Sequence, residues 1–469
     1  MQLVAFGAQD VYLSGTPKVT FFQAAYKRHT NFAMETVQQT VQGAGGNGGL
    51  FSVTLSRSGD LVGDMFVALT PTVTSAAQLT SNNTGADMCW VAERAFNTIE
   101  LYIGGQLIDK HYQLWFRLYA EVFLDDTKRV AYGRMTSCPV ANNVGVTSVA
   151  KVYLPLMFFF NRNPGLYLPL IALQYHEVRI DFSLTNYYSS YFGTNPIDVW
   201  ANYMYLEEQE RGRFSKNNHE YLIEQVQHVA GDPIISSSEN SPAIVRMQYN
   251  HPVKELIWVY QDPAPLTNRN AMWNFSSGVS NVNVTCDPSK LAGSLAPFAP
   301  NTIGAPFLAV PGPFATSLYV SGTSNVGTGN TISVQSNVLA GNVFMVESGL
   351  ANVSTNVSFG YEVGPLHKAK FLLNGTERAA EQLGKYFNQY QPYQHHDGCP
   401  SPGIYVYSFA LKPEDHQPSG ACNFSRIDMA QIAVSLKTGM PTNLLQQMFA
   451  VNYNVLRIAS GLGGLAFSN

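Results

Sequence analysis

Charged side chains are scarce in this sequence. Of 469 residues, 28 are Lys or Arg and 32 are Asp or Glu, so charged residues make up 13% of the chain, against about 25% in typical soluble domains. A net charge of −4 supplies no basic field for a polyanion, which argues against direct nucleic-acid binding. Hydrophobic residues still reach 45%, which excludes intrinsic disorder. Much of the surface is therefore expected to be neutral, as it is where other subunits cover a protein.

Cysteine pairs and targeting segments are also lacking. The five cysteines are widely spaced and form no C-x-x-C motif, which favours free thiols and a reducing compartment; they are Cys89, Cys138, Cys286, Cys399 and Cys422. Residues 1–8 are too short for the apolar core of a signal peptide. The most apolar segment, Val152 to Leu173, is interrupted by three prolines. It predicts two buried strands and a loop, and no transmembrane segment.

Enzyme motifs are missing as well. The sequence has no G-x-S-x-G, H-E-x-x-H or P-loop pattern, and its carboxylates are too scattered to nominate a catalytic pair. Gly43 to Gly48 matches G-x-G-x-x-G, but the alternating segment that follows favours a hairpin loop over a nucleotide site. The clump His395 to Cys399 could bind a metal, yet it has no second cluster, so a polar turn is favoured. We therefore expect no enzyme activity, catalytic residue, metal site or cofactor.

The dominant pattern that is present is alternation of apolar and polar residues. Such period-2 runs, separated by turns rich in Gly, Asn and Pro, are typical of half-buried antiparallel strands. The clearest runs are Phe51 to Ser56, Thr98 to Gly104, Glu177 to Leu184, Tyr405 to Lys412 and Ile432 to Lys437. The pattern predicts an all-β protein made of sandwiches. Apolar residues at i, i+4 spacing predict two helices, His111 to Val122 and Ala379 to Asn388.

The order of these elements occurs twice along the chain. A strand that ends in a glycine turn precedes each predicted helix, and apolar strands follow each helix at similar spacing, which indicates two domains of one architecture. The charge run Glu207 to Arg213 is predicted to be the linker. The expected division is an N-terminal arm at 1–30, a first domain at 31–213 and a second domain at 214–469.

One long segment distinguishes the second domain. From Leu291 to Val346 the sequence has no charged residue, while its Gly, Asn, Ser and Thr content suits turns and its Val and Ile patches suit short strands. We expect an ordered, outward-facing loop insertion spanning about 262–363. N-x-[ST] triplets are frequent in this half, although chance explains most of them. The candidate glycosylation sites are Asn82, Asn274, Asn283, Asn352, Asn356, Asn374 and Asn423.

The N-terminal arm carries aromatic side chains that need a partner. The apolar anchors are Phe6, Phe21, Phe22 and Tyr26, and the only compact basic spot nearby is Lys27, Arg28 and His29. A solvated loop is the ordinary explanation of the basic spot, which could alternatively contact phosphate headgroups or an acidic partner. The arm is predicted to lie on the inner side of an assembly.

Several long segments closely resemble the major capsid proteins of nucleocytoplasmic large DNA viruses, and the algal-virus branch most of all. They span both halves and are Gly7 to Leu13, Thr20 to Phe22, Arg28 to Ala33, Ser56 to Leu61, Ile108 to Tyr112, Leu168 to Val178, His219 to Gln225, Tyr407 to Pro413, Gln417 to Asp428 and Asn452 to Ile458. The insertion at 262–363 departs from the family pattern. The algal branch is known for glycans on exposed loops, at positions for which sequons are a weak guide.

The resemblance implies a double jelly roll, two tandem eight-stranded β-sandwiches with a few short helices in loops. It also implies a homotrimeric, pseudo-hexagonal capsomer that contacts neighbouring capsomers and minor capsid proteins in the outer icosahedral shell of a virion assembled in the host cytoplasm. Two alternatives from other classes stay open: a carbohydrate-binding β-sandwich attachment protein, since jelly rolls host lectins, and a sandwich hydrolase with two carboxylates.

Overall fold

The computed structural model describes most of the two predicted domains. The described residues are 7–24, 26–43, 45–72, 90–137, 151–234, 241–261, 275, 364–398, 400–401, 403–437 and 444–467, together with four three-residue strands within 262–363.

Strands dominate the described chain. In the first half they are β1 (Phe32–Gln39), β2 (Val41–Gly43), β3 (Leu50–Thr54), β4 (Leu61–Leu69), β5 (Phe96–Ile103), β6 (Gln106–Tyr112), β7 (Val152–Pro155), β8 (Leu168–Pro169), β9 (Val178–Leu184) and β10 (Asp198–Leu206). In the second half they are β11 (His219–Ile234), β12 (Ala243–Met247), β13 (Pro252–Gln261), β14 (Val284–Cys286), β15 (Phe307–Ala309), β16 (Leu318–Val320), β17 (Phe344–Val346), β18 (Leu366–Leu373), β19 (Thr376–Leu383), β20 (Ile404–Ser408), β21 (Cys422–Asn423), β22 (Ala430–Leu436), β23 (Leu444–Ala459) and β24 (Leu462–Leu465).

Short helices lie in the N-terminal arm and in the connections between strands. They are α1 (Asp10–Ser14), α2 (Gln113–Val122), α3 (Asp126–Thr136), α4 (Phe159–Arg162), α5 (Tyr188–Phe192), α6 (Glu208–Lys216) and α7 (Gln391–His395), with a π-helical turn at Tyr386–Tyr390 and 3₁₀ turns at Val91–Arg94, Pro164–Leu166 and Phe424–Arg426.

The eight longest strands of each half form two antiparallel sheets with the same order. In the first half the sheets are β1-β10-β4-β7 and β3-β9-β5-β6, and in the second half they are β11-β23-β13-β20 and β12-β22-β18-β19. Numbered along each half, both have the orders first-eighth-third-sixth and second-seventh-fourth-fifth. This is a jelly-roll order repeated twice, which confirms the all-β double jelly-roll prediction.

Alternation of burial follows alternation of sequence in these strands. In β9 every second residue is buried, because successive side chains of a strand point to opposite faces. Some predicted strands extend too far. β20 ends at Ser408 instead of Lys412, and Phe159 and Phe160 belong to α4 instead of the preceding strand, which ends at Pro155.

One predicted helix is correct, and the other is wrong in its first half. Helix α2 covers the predicted residues from Gln113 onward. In the second half, Ala379 to Leu383 belong to β19, and the helical residues begin at Gly384. The Asn374-Gly375 turn, with positive φ at both residues, closes a hairpin with β18, and this pairing overrides the helical spacing.

The predicted linker is a helix. The charge run from Glu207 lies largely in α6, which joins β10 to β11. Within this helix, Arg211 Nε lies 2.9 Å from Oδ1 of Asp60, the residue before β4. The helix is thereby tied to the first half of the chain.

The core has two hydrophobic clusters, and the boundary between them does not follow the halves. The inward face of β11-β23-β13-β20 packs against the other sheet of its own half through Trp258 and Leu256. The outward face, with Ile257 and Phe449, belongs to the cluster formed by the first half. This sheet is therefore buried on both faces and joins the two sandwiches.

Candidate assembly surfaces

An aromatic contact fixes one sandwich to the other. Trp115 of α2, with 1% of its surface exposed, has its ring centroid 5.6 Å from that of Phe449. Phe449 also stacks on His228 at 4.5 Å and lies 6.2 Å from Tyr112. Because α2 follows β6 without a break, the helix is held where its aromatic face meets the outward face of the second-half sheet.

Polar groups complete this boundary at the strand edges. Gln225 Nε2 of β11 donates to the carbonyl of Ile108 in β6, and the Val226 amide donates to Asp109 Oδ1 at 3.0 Å. Near the C-terminus, the carbonyl oxygen of Gly463 in β24 lies 2.9 Å from Nδ1 of His176. Buried polar groups are thus paired across the boundary, as their desolvation requires.

A buried ion cluster lies in the same boundary. Lys254 Nζ is 2.5 Å from Glu224 Oε1 and donates to the carbonyl of Pro413 at 2.6 Å, while Arg162 from the first half binds the other oxygen of Glu224 at 2.9 Å. Burial alone would raise the pKa of Glu224, but the two cations hold it below its ordinary value. Burial lowers the pKa of Lys254, because its ammonium has lost water. Removal of Glu224 would leave Lys254 and Arg162 without the carboxylate that they share, which is costly at a buried site.

His396 is held between two carboxylates. Its Nε2 lies 2.8 Å from Glu255 and its Nδ1 lies 2.9 Å from Glu414, and Phe123 of the first half contacts the ring edge at 5.6 Å. Burial opposes the charged imidazolium, yet the two carboxylates outweigh it and raise the pKa of His396 to about 9. The charged ring therefore fastens the segment around Glu414 to β13.

A second charged cluster reaches the boundary from the first half. Arg117 Nη2 binds Glu121 at 2.9 Å, and its Nη1 is 3.5 Å from Glu93. Burial raises the pKa of Glu93 to about 6, although Arg117 opposes the shift. The Ser401 hydroxyl of the second half donates to Glu121 at 2.8 Å. Acids of the first half thus take hydrogen bonds from both halves.

A cavity of about 290 Å³ opens where the halves meet near α6. Its lining combines the loop around Gln174 and Tyr175, the end of α6 near Lys216 and the β23–β24 turn at Gly461. The lining is mostly polar, and none of the strongly shifted groups above belongs to it. It offers hydrogen bonds but no reactive constellation.

The predicted arm is exposed where the structure describes it. Phe21, Phe22 and Tyr26 are each more than 90% exposed, and Lys27 and Arg28 are exposed too; Phe6 lies outside the described residues. The arm leads into β1, whose first residue pairs with Leu206 at the end of β10. It therefore leaves the sandwich at the end where α6 joins the halves.

Two candidate glycosylation sites fall on described residues. Asn374 and Asn423 are both exposed, and each side chain already accepts a backbone hydrogen bond, from Met429 and Ser425 respectively. These bonds give both asparagines a turn or capping role. The sites Asn82, Asn274, Asn283, Asn352 and Asn356 lie outside the described residues.

The sequence motifs that were set aside as non-catalytic have structural roles. Gly43 ends β2, which pairs with β3 across a hairpin, as expected. The clump begins at His395, the last residue of α7, and continues as a bend; His396 within it is buried and ion-paired, which the prediction of a polar turn missed. Among the described residues no group of metal-ligating side chains could hold a metal ion, and no helix is long and apolar enough to cross a membrane.

The residues that join the halves were not singled out from the sequence. Ordinary amphipathic or apolar runs contain Trp115, Lys254 and Glu224. The partner of Trp115, Phe449, lies more than 100 positions away in the sequence. One signal was available: Lys254 and Glu255 interrupt the apolar β13, where charges must be paired when buried.

The family comparisons cover nearly the whole chain. Residues 20–207 match the model described as major capsid protein N-terminus, and residues 210–464 match the model described as large eukaryotic DNA virus major capsid protein. A curated relative, the major capsid protein of Paramecium bursaria Chlorella virus 1, is 37% identical over all of this chain and 99% of its own length. The major capsid protein of Phaeocystis pouchetii virus is also 37% identical, with the same coverage.

Solved structures agree with these matches. The quasi-atomic model of the PBCV-1 virus capsid superposes with a TM-score of 0.69 at 35% identity, covering 96% of this chain and all of that chain. The Faustovirus major capsid protein has a TM-score of 0.60 at 12% identity, covering 97% of this chain and 94% of that chain, and supports the fold alone.

The fold and the comparisons define a class: structural proteins of viral capsids built from two tandem jelly rolls. The chain belongs to the family of major capsid proteins of large eukaryotic DNA viruses. It is a capsid component of the virion, and the carbohydrate-binding alternative receives no support from these matches.

Proposed function

We propose that the protein forms a homotrimeric, pseudo-hexagonal capsomer that tiles the outer icosahedral shell of its virus. The observation that carries the proposal is the repeated strand order of the two sandwiches. Three copies of a chain with two similar sandwiches present six similar walls around one axis. Such a tile packs against six neighbours, and the scarcity of charged residues suits a surface covered on its sides.

The proposed domains follow the sheets. With the arm at 1–30, the first jelly roll at 31–213 and the second at 214–469, each domain contains both sheets of one sandwich. The insertion at 262–363 lies between β13 and β18, the third and fourth main strands of the second domain, and we assign it to the outer surface. The role is architectural, without a catalytic step or cofactor.

The arm is proposed to serve assembly on the inner side of the shell. Exposed aromatic side chains such as Phe21 and Phe22 need an apolar partner, and a neighbouring capsomer or a minor capsid protein beneath the shell supplies one. Assembly takes place in the host cytoplasm. Removing residues 1–25 should leave folded trimers that fail to form shells, whereas loss of folding would place the arm in the sandwich.

Glycans on outer loops are a further part of the proposal. Asn374 and Asn423 are exposed, so an attached glycan would point to solvent, but each side chain already holds a backbone amide. Intact-mass measurement of protein from virions, before and after substitution of each asparagine by Gln, tests both sites.

The experiment that tests the capsomer is a mass measurement on purified protein. Light scattering coupled to size exclusion should give about three times the chain mass of 51.5 kDa, and negative-stain images should show particles with a pseudo-hexagonal outline. A monomer at micromolar concentration contradicts the proposal.

A further inference from the structure

The outward face of the sheet β11-β23-β13-β20 is covered by the first half of the chain. We call the outward face of this sheet, and that of its equivalent in the first half, a wall. One row of paired residues crosses its four strands: His228, Phe449, Ile257 and Val406. Phe449, Ile257 and Val406 are fully buried because they pack in the hydrophobic cluster of the first half, where Trp115 of α2 contacts Phe449.

The equivalent row of the first half is left open. Both sheets have the same strand order and a β-bulge between their third and eighth main strands, and aligning the two bulges gives Gln38, Trp200, Phe66 and Pro155 as the corresponding residues, with Trp200 in the place of Phe449. Trp200 and Phe66 stack at 6.4 Å, and Tyr153 joins them at 5.8 Å. Yet Trp200 and Phe66 keep some exposure, and Tyr153 is 42% exposed.

The element that covers the row within the chain also has an exposed equivalent. Helix α2 follows the fifth main strand of the first half, and the helical segment Tyr386–His395 follows the fifth main strand of the second. Trp115 and Tyr119 form an i, i+4 aromatic pair in α2, as Tyr386 and Tyr390 do in the other segment. Trp115 is buried, whereas Tyr390 is 54% and Tyr393 81% exposed.

The strands that lead into the two helical elements differ in the same way. In β6, Ile108 and Asp109 are buried and accept hydrogen bonds from Gln225 and Val226 of the second half. In β19 all residues but Ala379 are exposed. An open wall and an open covering element thus lie on the same chain.

We propose that the segment Tyr386–His395 of one copy covers the aromatic group Trp200, Phe66 and Tyr153 of the next copy, as α2 covers Phe449 within a chain. The inference rests on the proposed trimer and names its contact surface. Each copy contributes one wall and one covering segment, so the contact is heterologous and closes when the ring is complete. Aromatic side chains of this kind are the residues that dominate binding energy at interfaces.

The register of the strands also specifies a polar contact at the edge of this interface. Gln225, which donates to Ile108 across the boundary within the chain, lies three residues before the row residue His228. The same offset from Gln38 gives Glu35 in β1.

The partner of Glu35 follows from the two hairpins. Ile103 pairs with Gln106 in the first half, and Leu373 pairs with Thr376 in the second, so Arg378 takes the place of Ile108. Glu35 and Arg378 are both exposed and opposite in charge. The structure assigns them to an ion pair between copies.

Substitution of the exposed tyrosines tests the covering segment. The double variant Tyr390→Asp/Tyr393→Asp should remain folded by circular dichroism, since both rings are exposed, and its mass in light scattering should fall from three chains to one. Tyr175→Asp, at a tyrosine that is 75% exposed on the loop before β9, is the matched control and should stay trimeric. A trimeric double variant overturns the surface assignment while leaving the capsomer intact; a monomeric wild-type protein overturns the capsomer itself.

Cysteine cross-linking tests the register. The double variant Glu35→Cys/Arg378→Cys, treated with a short bismaleimide, should give covalent dimers and trimers on denaturing gels, and each single variant should give neither. The matched double variant Glu35→Cys/Arg457→Cys, with its second cysteine on β23, should not cross-link. Trimers in solution that yield no covalent species from Glu35→Cys/Arg378→Cys contradict the proposed edge contact.

Discussion

The two sandwiches have the same strand order but bury equivalent surfaces to different degrees. The sheet β11-β23-β13-β20 is buried on both faces, because α2 packs on its outward side. The equivalent sheet β1-β10-β4-β7 has a buried inner face, while seven of the eight residues of β1 keep exposure. Because the fold is duplicated, each half has a sheet with an outward face and a helical segment after its fifth main strand. Within the described part of one chain, only the helix of the first half covers the sheet of the second half.

The electrostatics of the two walls differ in the same direction. The covered wall has buried ions, with Lys254 between Glu224 and the Pro413 carbonyl. The open wall has solvated pairs such as Lys151 with Asp198, whose side chains are 48% and 18% exposed. Buried charges are costly to separate and solvated ones are not. The contact between the two halves of one chain is therefore expected to be more stable than a contact on the open sheet.

The largest expected effect comes from truncating the same position in the two walls. Phe449→Ala should lower the free energy of unfolding by about 3–5 kcal/mol, because it leaves a cavity under α2. Trp200→Ala should cost less than about 2 kcal/mol, since its ring keeps solvent contact. Urea unfolding at two protein concentrations separates folding from assembly. Equal losses at both positions would show that the walls are not as different as their burial indicates.

The next effect concerns the buried ion cluster. Lys254→Met keeps the aliphatic stem but removes the ammonium that contacts Glu224, whose remaining partner is Arg162. The free energy of unfolding should fall by about 3 kcal/mol. Lys370→Met removes an exposed partner of Glu377 and should cost less than about 1 kcal/mol. Chemical denaturation of both variants checks the comparison, which fails if the two losses agree.

A smaller effect depends on pH. The pKa of His396 is raised from its ordinary 6.5 to about 9, so the charged ring stabilises the folded state fully below pH 6.5. The contribution is lost as pH rises through 9, and it is on the order of 3 kcal/mol at most. The wild-type protein should lose stability between these pH values, and His396→Gln should flatten that dependence.

The control for this prediction is the neighbouring histidine. His395 contacts the carbonyl of Leu411 and no carboxylate in the described hydrogen bonds. His395→Gln should therefore keep the wild-type dependence of unfolding free energy on pH. If it flattens the curve as much as His396→Gln, the titration belongs to another group.

The sequence predicted the architecture well because sandwiches are specified by local periodicity. The alternation in β9 and the glycine turns were enough to infer two all-β domains, and the resemblance supplied the jelly-roll order. Helix α2 was also predictable, since its apolar spacing agrees with its burial. The helix predicted from Ala379 was wrong at its start because the Asn374-Gly375 hairpin pairs this segment with β18. Leu383 and Phe387, whose i, i+4 spacing indicated a helix, belong to two different elements.

The contacts between the halves could not be predicted in this way. Trp115 and Phe449 meet only after both sandwiches have formed, and no local pattern records their distance. His396 was expected in a polar turn because its neighbours His395 and Asp397 are polar. It is ion-paired with Glu255, which lies 141 positions earlier in the sequence. The pair therefore forms only in the tertiary structure.

The smallest expected effect comes from the connection between the third and fourth main strands. In the first half this connection is residues 70–95, and in the second half it is residues 262–365, where the short strands pair only with one another among the described residues. Since the shared sandwich closes over the shorter connection, the longer one is not required for folding. Loop-closure entropy changes by only about 0.6 kcal/mol per doubling of length. Replacing residues 291–346 by a short Gly/Ser linker should therefore shift the melting temperature by no more than a few degrees and leave the number of chains per particle unchanged. Scanning calorimetry and light scattering check both. Monomers or aggregates would mean that the segment belongs to the wall between copies and not to the outer surface.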